Sequence, residues 1–423
     1  MKRSHRWSAV ALLVLLSGGL SVGVVRHAFG LAEERATATI AVVRAAGEYD
    51  AYLNGVQMAV EQVNRQGGLE GRALNIKVVT ERKLADQSDQ QDVVSQSLRL
   101  AEKLGKDDGI VAVIGHGTSA TAVPASSVYN QHKKLFISTH ATATSLVNHR
   151  FDYVFTLQPN NYSNAVAMAQ YAMDQGMGRF VILSDHTNYG VEVTKVFQTS
   201  VTRRGGQVLH RGYLNPEITS IDKMLVFLMD NRIFDVKEID GIFVTSSSRA
   251  ETADFIARAR QLGLRMPILG PEYLFSSIIE RMAGEKNMKD VLAVSSYDRD
   301  SLQPKATAFV EAYRRRFNEN PDLLAALGYD AIGLIRHVAA KTGSLDSTVL
   351  ADKLRVLRYE SPYEGVTGSL SFTANGMVAG ASAYIVRHDG ERFQTAARYP
   401  QFVGGVSESL DNRTVNRDRN FDK

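Results

Sequence analysis

The fold class of this chain is decided by residues Ile110–Leu146, IVAVIGHGTSATAVPASSVYNQHKKLFISTHATATSL. Their order predicts a strand, a turn rich in hydroxyl groups, a helix, a second strand and a second such turn. Parallel strands joined by a helix end at one edge of a sheet, which is where open α/β sheets bind ligands. In the first turn, Ser119 and Thr121 lie beside the backbone N–H groups that begin the helix, and these donors suit a carboxylate or another anion. The stretch therefore predicts a site for a small anionic or zwitterionic molecule.

Apolar, β-branched runs alternate with amphipathic helical segments from Ala36 to about residue 295. Strands separated by helices of this length require right-handed crossovers and a parallel sheet, so the predicted class is α/β. We expect two doubly wound, parallel-sheet lobes, with hinge crossings where the alternation is interrupted, at Phe155–Asn161, Ser295–Pro304 and Gly368–Gly376. The predicted lobes are residues 38–157 with 296–371, and residues 158–295 with 372–400. The polar segment Ser407–Lys423 predicts a disordered tail.

Residues 1–30 have the composition of a secretory signal peptide. Three basic residues precede an apolar run from Ala9 to Val25, and Ala28 and Gly30 offer the small side chains of a cleavage site. An uncleaved membrane anchor is the alternative, although a serine and several glycines within the run weaken it. Export with cleavage predicts a periplasmic protein.

Charge and cysteine content exclude several classes of protein. The chain has a formal net charge of +4, and its first thirty residues carry four basic and no acidic residues, so the remainder is neutral. A neutral protein lacks the electrostatic footprint of nucleic-acid or anionic-lipid binding. The sequence contains no cysteine, and therefore neither a disulfide nor a lipidated cysteine anchor.

The turn Gly115–Ala120 formally matches the G-x-G-x-x-G/A fingerprint of dinucleotide sites. That fingerprint needs an acidic residue about 20 residues further on, and Leu135–Thr144 has none, so we expect no nicotinamide cofactor. Ser119 lies in GTSAT rather than in a G-x-S-x-G nucleophile elbow, which leaves a hydrolase with His116 or His140 as its base only as a rival hypothesis. The histidines lack metal-ligand spacing. We expect a protein that binds a ligand without catalysis, metal or cofactor.

Two further strand ends carry polar chemistry. Tyr189 lies in DHTNYG and Glu272 in GPE, each directly after a predicted strand. Taken singly, Tyr189 is as readily explained as a ring that covers a helix start, and Glu272 as a solvated helix cap. Together with the two turns above, four strand ends offer hydroxyls, an aromatic ring and a carboxylate. This set suits a ligand with both a carboxylate and an ammonium group.

Several blocks of the sequence have counterparts in one known family. They are Asn54–Asn64 with Gly67–Gly71, Val113–His116, Ile137–Ala143, Asn188–Gly190, Ala257–Leu264, Gly270–Glu272 and Tyr363–Gly368. On these blocks the chain resembles the leucine/isoleucine/valine-binding family of type I periplasmic binding proteins, the solute receptors of ABC importers, over about residues 38–400. The resemblance implies two lobes that close around a small-molecule ligand, and an ABC permease in the inner membrane as partner.

The resemblance also implies roles for particular residues. In that family a serine and a threonine hold the carboxylate of an amino acid, and these positions fall on Ser119 and Thr142. The tyrosine of the second lobe falls on Tyr189, and the acid that receives the α-ammonium group falls on Glu272. Four more residues beside these turns complete the candidate site: Thr118, His140, Ala141 and Ser248.

Two departures from the family concern the side-chain pocket. Where branched-chain receptors have small or aromatic groups, this chain has His140 and the run Ser247–Arg249. Because aliphatic side chains favour dry, apolar walls, these residues predict a more polar amino acid, or a related amide or carboxylate. We expect a monomer. The alternative function is a ligand-sensing ectodomain of a membrane-anchored receptor system.

Overall fold

The computed structural model of the protein describes residues 37–45, 51–81, 90–214 and 220–399. The predicted signal peptide and the predicted disordered tail lie outside the described residues. Two large sheets organise the described part of the chain, and a small third sheet lies late in it.

The first sheet has five parallel strands in the order β2-β1-β3-β4-β5. These strands are β1 Thr37–Arg44, β2 Ala73–Thr80, β3 Ile110–Gly115, β4 Leu135–Ser138 and β5 Val154–Thr156. The helices between them are α1 Ala51–Arg65, α2 Gln90–Gly105, α3 Ser119–Gln131 and α4 Ser145–Asn148. Alternate side chains of β1 enter different cores, since Ile40 and Val42 pack into one apolar cluster and Ala41 and Val43 into another. Both faces of the sheet are therefore covered, as in a doubly wound fold.

The second sheet has seven strands in the order β15-β14-β10-β9-β8-β6-β7. Five of them are β6 Arg179–Ser184, β7 Gln207–Tyr213, β8 Gly241–Thr245, β9 Ile268–Gly270 and β10 Val291–Ser295, and the last two are β14 Ala383–His388 and β15 Phe393–Tyr399. Its helices are α5 Asn161–Asp174, α6 Asn188–Arg203, α7 Ile221–Met229, α8 Arg249–Gln261 and α9 Ser277–Ala283. Strand β14 pairs antiparallel with both β10 and β15, so this sheet is parallel in its centre and antiparallel at one edge.

Three helices and the small sheet follow β10. They are α10 Pro304–Phe317, α11 Leu323–Thr342, α12 Ser347–Val356, β11 Tyr363–Glu364, β12 Ser369–Phe372 and β13 Val378–Ala379. Helix α11 packs closely on α1 at Gly55. A Cβ atom added to this glycine would lie only 1.9 Å from the carbonyl oxygen of Ala325. Among the described residues only α11 is long and apolar enough to cross a membrane, and 72% of its apolar window is buried, as in the core helix of a folded domain.

The predicted α/β class with doubly wound sheets is confirmed, with one local difference. The segment read as a hinge from Phe155 contains the end of β5, which pairs with β4.

The chain passes between the two large sheets three times, after β5, after β10 and after β13. Two of these passages lie side by side, since Thr156 forms a bridge with Met377. The boundaries and relative motion of the predicted lobes remain predictions.

Candidate functional site

A cavity of about 450 Å³ is lined by turns that follow strands of both large sheets. Strands β3 and β4 of the first sheet and strands β6, β8 and β9 of the second each supply the turn at their carboxyl end. This is the position in which open parallel sheets bind ligands. The first turns of α2 and α11 close the remaining wall, with Val93, Val94, Leu323 and Leu324.

The structure brings six of the eight predicted site residues to this cavity. They are Thr118, Ser119, His140, Thr142, Tyr189 and Glu272. The other two do not line it. Ala141 packs into an apolar core of the first sheet. The hydroxyl of Ser248 is used as the N-terminal cap of α8, where it accepts a hydrogen bond from the backbone N–H of Glu251.

The start of α3 is the candidate anion-binding end of the cavity. Thr118 precedes this helix in an extended conformation and its side chain does not cap the first-turn N–H groups. By contrast, Thr187 caps α6 and Ser248 caps α8 with side-chain hydrogen bonds. The Ser119 hydroxyl accepts a hydrogen bond from the backbone N–H of Ala143 at 3.3 Å, which ties the first turn to the second. The helix dipole and its uncapped donors therefore favour a negatively charged group here.

A buried polar triad holds this turn in place. His116 is fully buried, with Nδ1 2.7 Å from Glu81 Oε1 and Nε2 2.9 Å from the Tyr129 hydroxyl. Glu81 Oε2 accepts hydrogen bonds from the Gly117 backbone N–H and the Thr121 hydroxyl, both at 3.1 Å. Glu81 was missed by the sequence reasoning. The signal that could have found it is its position directly after β2, which ends at Thr80.

Glu272 is the candidate cation-binding group of the cavity. Its side chain is 7% exposed, and burial raises the pKa of its carboxyl group above the ordinary value for glutamate. Oε1 accepts long hydrogen bonds of 3.4 Å from the hydroxyls of Thr142 and Tyr189, and Oε2 accepts one of 3.3 Å from Asn164. No lysine, arginine or histidine of the described residues forms an ion pair with this carboxylate. A buried carboxylate held only by weak neutral donors is suited to an ammonium group.

Asp185 fixes the two second-sheet turns that flank Glu272. Its Oδ2 accepts from the backbone N–H of Ser247 at 2.6 Å and from the Ser247 hydroxyl at 2.7 Å. Its Oδ1 accepts from the Thr187 hydroxyl at 2.7 Å. Burial raises the pKa of Tyr189 well above its ordinary value, so its phenol remains a neutral donor toward Glu272. The hydrogen bonds of Asp185 therefore hold the turns after β6 and β8 in place beside the carboxylate of Glu272.

The rest of the wall contains both polar and apolar side chains. His140 and Arg249 do line the cavity, as the expectation of a polar pocket required. Apolar side chains also line the cavity. Four of these lie in the first turns of α2 and α11, which are far in sequence from the polar turns. The apolar lining side chains larger than alanine are Val93, Val94, Val123, Pro124, Phe275, Leu323 and Leu324. The expected preference for a more polar ligand stays a prediction, because polar and apolar side chains both line the cavity.

Glu192 connects the two sides of the cavity and was not anticipated from the sequence. It lies on α6, one turn after Tyr189, and lines the cavity. Its Oε1 accepts a hydrogen bond from the Thr144 hydroxyl at 2.5 Å, and its Oε2 accepts one from the Asn161 amide at 2.9 Å. Thr144 follows a strand of the first sheet, so this carboxylate joins turns that belong to different sheets.

The cavity and its surroundings contain several carboxylates and histidines, but they are not grouped as metal ligands. In residues 37–45, 51–81, 90–214 and 220–399 there is no group of three or more histidine, aspartate or glutamate side chains that could hold a metal ion.

Two α/β sheets whose strand ends line one shared cavity define a protein that encloses a small ligand. The chain belongs to the periplasmic binding protein family, whose model matches residues 45–392. Members of this family bind ligands without transforming them, so the chain is not an enzyme and the hydrolase hypothesis for Ser119 is set aside.

Similar proteins agree with the resemblance found in the sequence. The leucine-, isoleucine-, valine-, threonine- and alanine-binding protein of Pseudomonas aeruginosa is 25% identical over 326 residues, covering 76% of this chain and 80% of that protein. An ABC transporter substrate-binding protein of Desulfitobacterium hafniense, solved in complex with Leu, is 25% identical with a TM-score of 0.71, covering 85% of this chain and 99% of that one. A branched-chain amino acid transporter substrate-binding protein of Streptococcus pneumoniae, solved with isoleucine, has 22% identity and a TM-score of 0.71, covering 86% and 99%.

Proposed function

We propose that this protein is the substrate-binding component of an ABC importer and that it binds an α-amino acid with an apolar side chain. One observation carries the ligand class. Thr142 and Ala143 are adjacent in sequence, and Thr142 contacts the buried Glu272 while Ala143 contacts Ser119 at the start of α3. The cation-binding and anion-binding ends of the cavity therefore meet at one turn, which matches an ammonium and a carboxylate carried by the same carbon atom.

The side chain of the ligand would lie against the apolar wall formed by α2, α11 and Phe275. Burying an aliphatic side chain in such a wall contributes about 1.5–3 kcal/mol to binding. The similar proteins of Pseudomonas and Desulfitobacterium support the same class of ligand, because the first is named for binding leucine and isoleucine and the second was solved with Leu.

Transport would require export and closure. Cleavage after the predicted signal peptide, near Gly30, would release the protein into the periplasm, where it would deliver its ligand to an inner-membrane permease as a monomer. Closure of the predicted lobes would bring Ser119 and Thr142 onto the ligand from one side, and Tyr189 and Glu272 from the other. N-terminal sequencing of the exported protein distinguishes this arrangement from an anchored receptor, because an anchor would retain residues 1–30.

Calorimetric titration with a matched set of ligands tests the proposed function. L-leucine, L-isoleucine and L-valine are expected to bind, and each should raise the free energy of unfolding by about 2.7 kcal/mol at 100 times its Kd. 4-Methylpentanoate lacks the ammonium group of leucine and isoamylamine lacks its carboxylate, so both should bind far more weakly. Equal binding of either analogue would contradict the two-ended site, and preferential binding of serine or glutamine would contradict the apolar wall.

The contact between Thr144 and Glu192 is expected to act as a latch across the cavity. Thr144→Val removes the donor without touching the cavity wall, and should weaken ligand binding by about 1 kcal/mol, roughly fivefold. Glu192→Gln and the double variant complete a mutant cycle, in which the two effects should not add. Thr202→Val, an exposed threonine on α6, is the matched control. Additive effects, or an unchanged radius of gyration in scattering on ligand addition, would exclude the latch.

A further inference from the structure

A second cavity, of about 340 Å³, lies between α1, α11, the start of α10 and β11. None of its lining residues borders the first cavity. Its lining residues are Ala59, Gln62, Val63, Gln66, Lys305, Tyr329, Gly333, Arg336, His337, Ala340, Lys341 and Tyr363. Three of these side chains, Lys305, Arg336 and Lys341, are basic and none is a carboxylate, so the cavity is positively charged. Burial lowers the pKa of Lys305 below its ordinary value.

None of the three cationic groups forms an ion pair within the described residues. Arg336 and Lys341 form no hydrogen bond or ion pair within the part of the chain that the structure describes. Lys305 is fixed by neutral acceptors, because its Nζ donates to the Tyr363 hydroxyl at 2.9 Å and to the carbonyl oxygen of Glu364, and it lies 4.1 Å from the centre of the Tyr363 ring.

Three carboxylates act on these cations, and each already accepts hydrogen bonds from other groups. Glu364 acts on Lys305 and accepts a hydrogen bond from the Ser369 hydroxyl at 2.9 Å. Asp330 is fully buried and accepts from the backbone N–H groups of Val366 and Thr367, each at 2.8 Å, and from the Thr367 hydroxyl at 2.6 Å. Glu360, whose pKa is lowered mainly by its hydrogen bond with Lys353 and to a smaller degree by Lys341, is paired with Lys353 at 2.6 Å.

Neutral donors complete the cavity. The Tyr329 hydroxyl donates to Gln62 Oε1, which leaves the amide N–H₂ of Gln62 as a donor. The His337 ring lies 5.4 Å from the Tyr363 ring. Burial, together with the charges of Lys341, Lys305 and Lys353, lowers the pKa of His337, so its imidazole is neutral at pH 7 and can donate one hydrogen bond.

We propose that this second cavity binds a small multivalent oxyanion, of the chemical class of inorganic phosphate. Two unpaired cations, an amide and an imidazole converge on a space large enough for such an ion, and multivalent oxyanions make the strongest charge-assisted hydrogen bonds with lysine and arginine. The site joins α1 to α11, which pack closely on each other, and shares no lining residue with the amino-acid site.

Titration of the whole protein with inorganic phosphate tests this inference. The probe is the ring resonance of His337 in ¹H–¹⁵N spectra, assigned by its loss in His337→Gln. We expect a saturable shift with phosphate and sulfate, and no such shift with chloride at the same ionic strength, because screening alone does not saturate. The same response to chloride, or displacement of phosphate by L-leucine, would overturn the second site.

Charge-removing variants locate the binding. Arg336→Gln combined with Lys341→Gln should weaken phosphate binding by at least about tenfold and leave L-leucine affinity unchanged. The control combines Lys195→Gln with Arg203→Gln on α6, which removes the same two charges from a different surface. Equal phosphate affinity in the two double variants would overturn the proposal, whereas loss of leucine binding alone would bear only on the first cavity.

Discussion

Replacing Glu272 by glutamine is expected to weaken amino-acid binding by roughly 2–4 kcal/mol, about 30-fold to 1,000-fold in Kd. The substitution keeps the size of the side chain but removes the charge that would pair with the ligand's ammonium group. The carboxylate is buried, and its protein donors are neutral groups at 3.3–3.4 Å, so the ammonium would be its main electrostatic partner.

The raised pKa of Glu272 gives this prediction a pH dependence. Below the ordinary glutamate pKa the carboxyl is protonated in both the folded and unfolded protein, and it imposes no penalty. As the pH rises through the raised folded-state pKa, the folded protein holds the proton more tightly than the unfolded chain, so the stability of the ligand-free protein falls. Glu272→Gln removes this fall, and the ligand-free variant should be at least as stable as the wild type at pH 7.

Ligand binding should show the reverse dependence. An ammonium group favours the ionised carboxylate, so affinity should rise with pH through the raised pKa, and binding near that pKa should release a proton. Calorimetry in buffers of different ionisation enthalpy measures the proton release, which Glu272→Gln should abolish. Glu311→Gln, on the exposed surface of α10, is the matched control. Unchanged affinity in Glu272→Gln would favour an uncharged or purely anionic ligand and contradict the amino-acid proposal.

The polar ends of the site could be anticipated from the sequence because each lies directly after a strand. Ser119, Thr142, Tyr189 and Glu272 occupy turns whose position is fixed once parallel strands are recognised, and all four line the cavity. Ser248 lies in a similar turn, but whether a serine hydroxyl faces a ligand or caps its own helix depends on local geometry that spacing does not determine.

The apolar wall could not be anticipated in the same way. Val93 and Leu323 lie on helices far from the turns in sequence, and their side chains read as ordinary core residues of amphipathic helices. The polarity of the pocket was therefore inferred from the residues that could be placed, His140 and Arg249. Glu192 was not predicted for a related reason. An acidic residue on a helix gives the same sequence pattern whether its side chain faces solvent or contacts a turn of another sheet.

Glu81→Ala is expected to destabilise the protein by about 3–5 kcal/mol. The truncation removes the acceptor of three groups at once, the His116 ring, the Gly117 backbone N–H and the Thr121 hydroxyl. His116 is fully buried and lies between Glu81 and Tyr129, so water would not readily replace the lost carboxylate. Chemical denaturation of the ligand-free protein measures the change.

Comparing Glu81→Gln with Glu81→Ala distinguishes two roles of Glu81, which are positioning the turn at Ser119 and stabilising the fold. Glutamine keeps one acceptor oxygen, so it should cost less than half as much stability as alanine. Because the Gly117 N–H directly precedes the start of α3, either variant should also let the turn at Ser119 relax and weaken binding of the ligand's carboxylate. The affinity loss should be smaller for an amine that lacks the carboxylate than for L-leucine itself. If both ligands lose affinity equally, Glu81 acts only through global stability and the triad does not position the anion-binding end of the site.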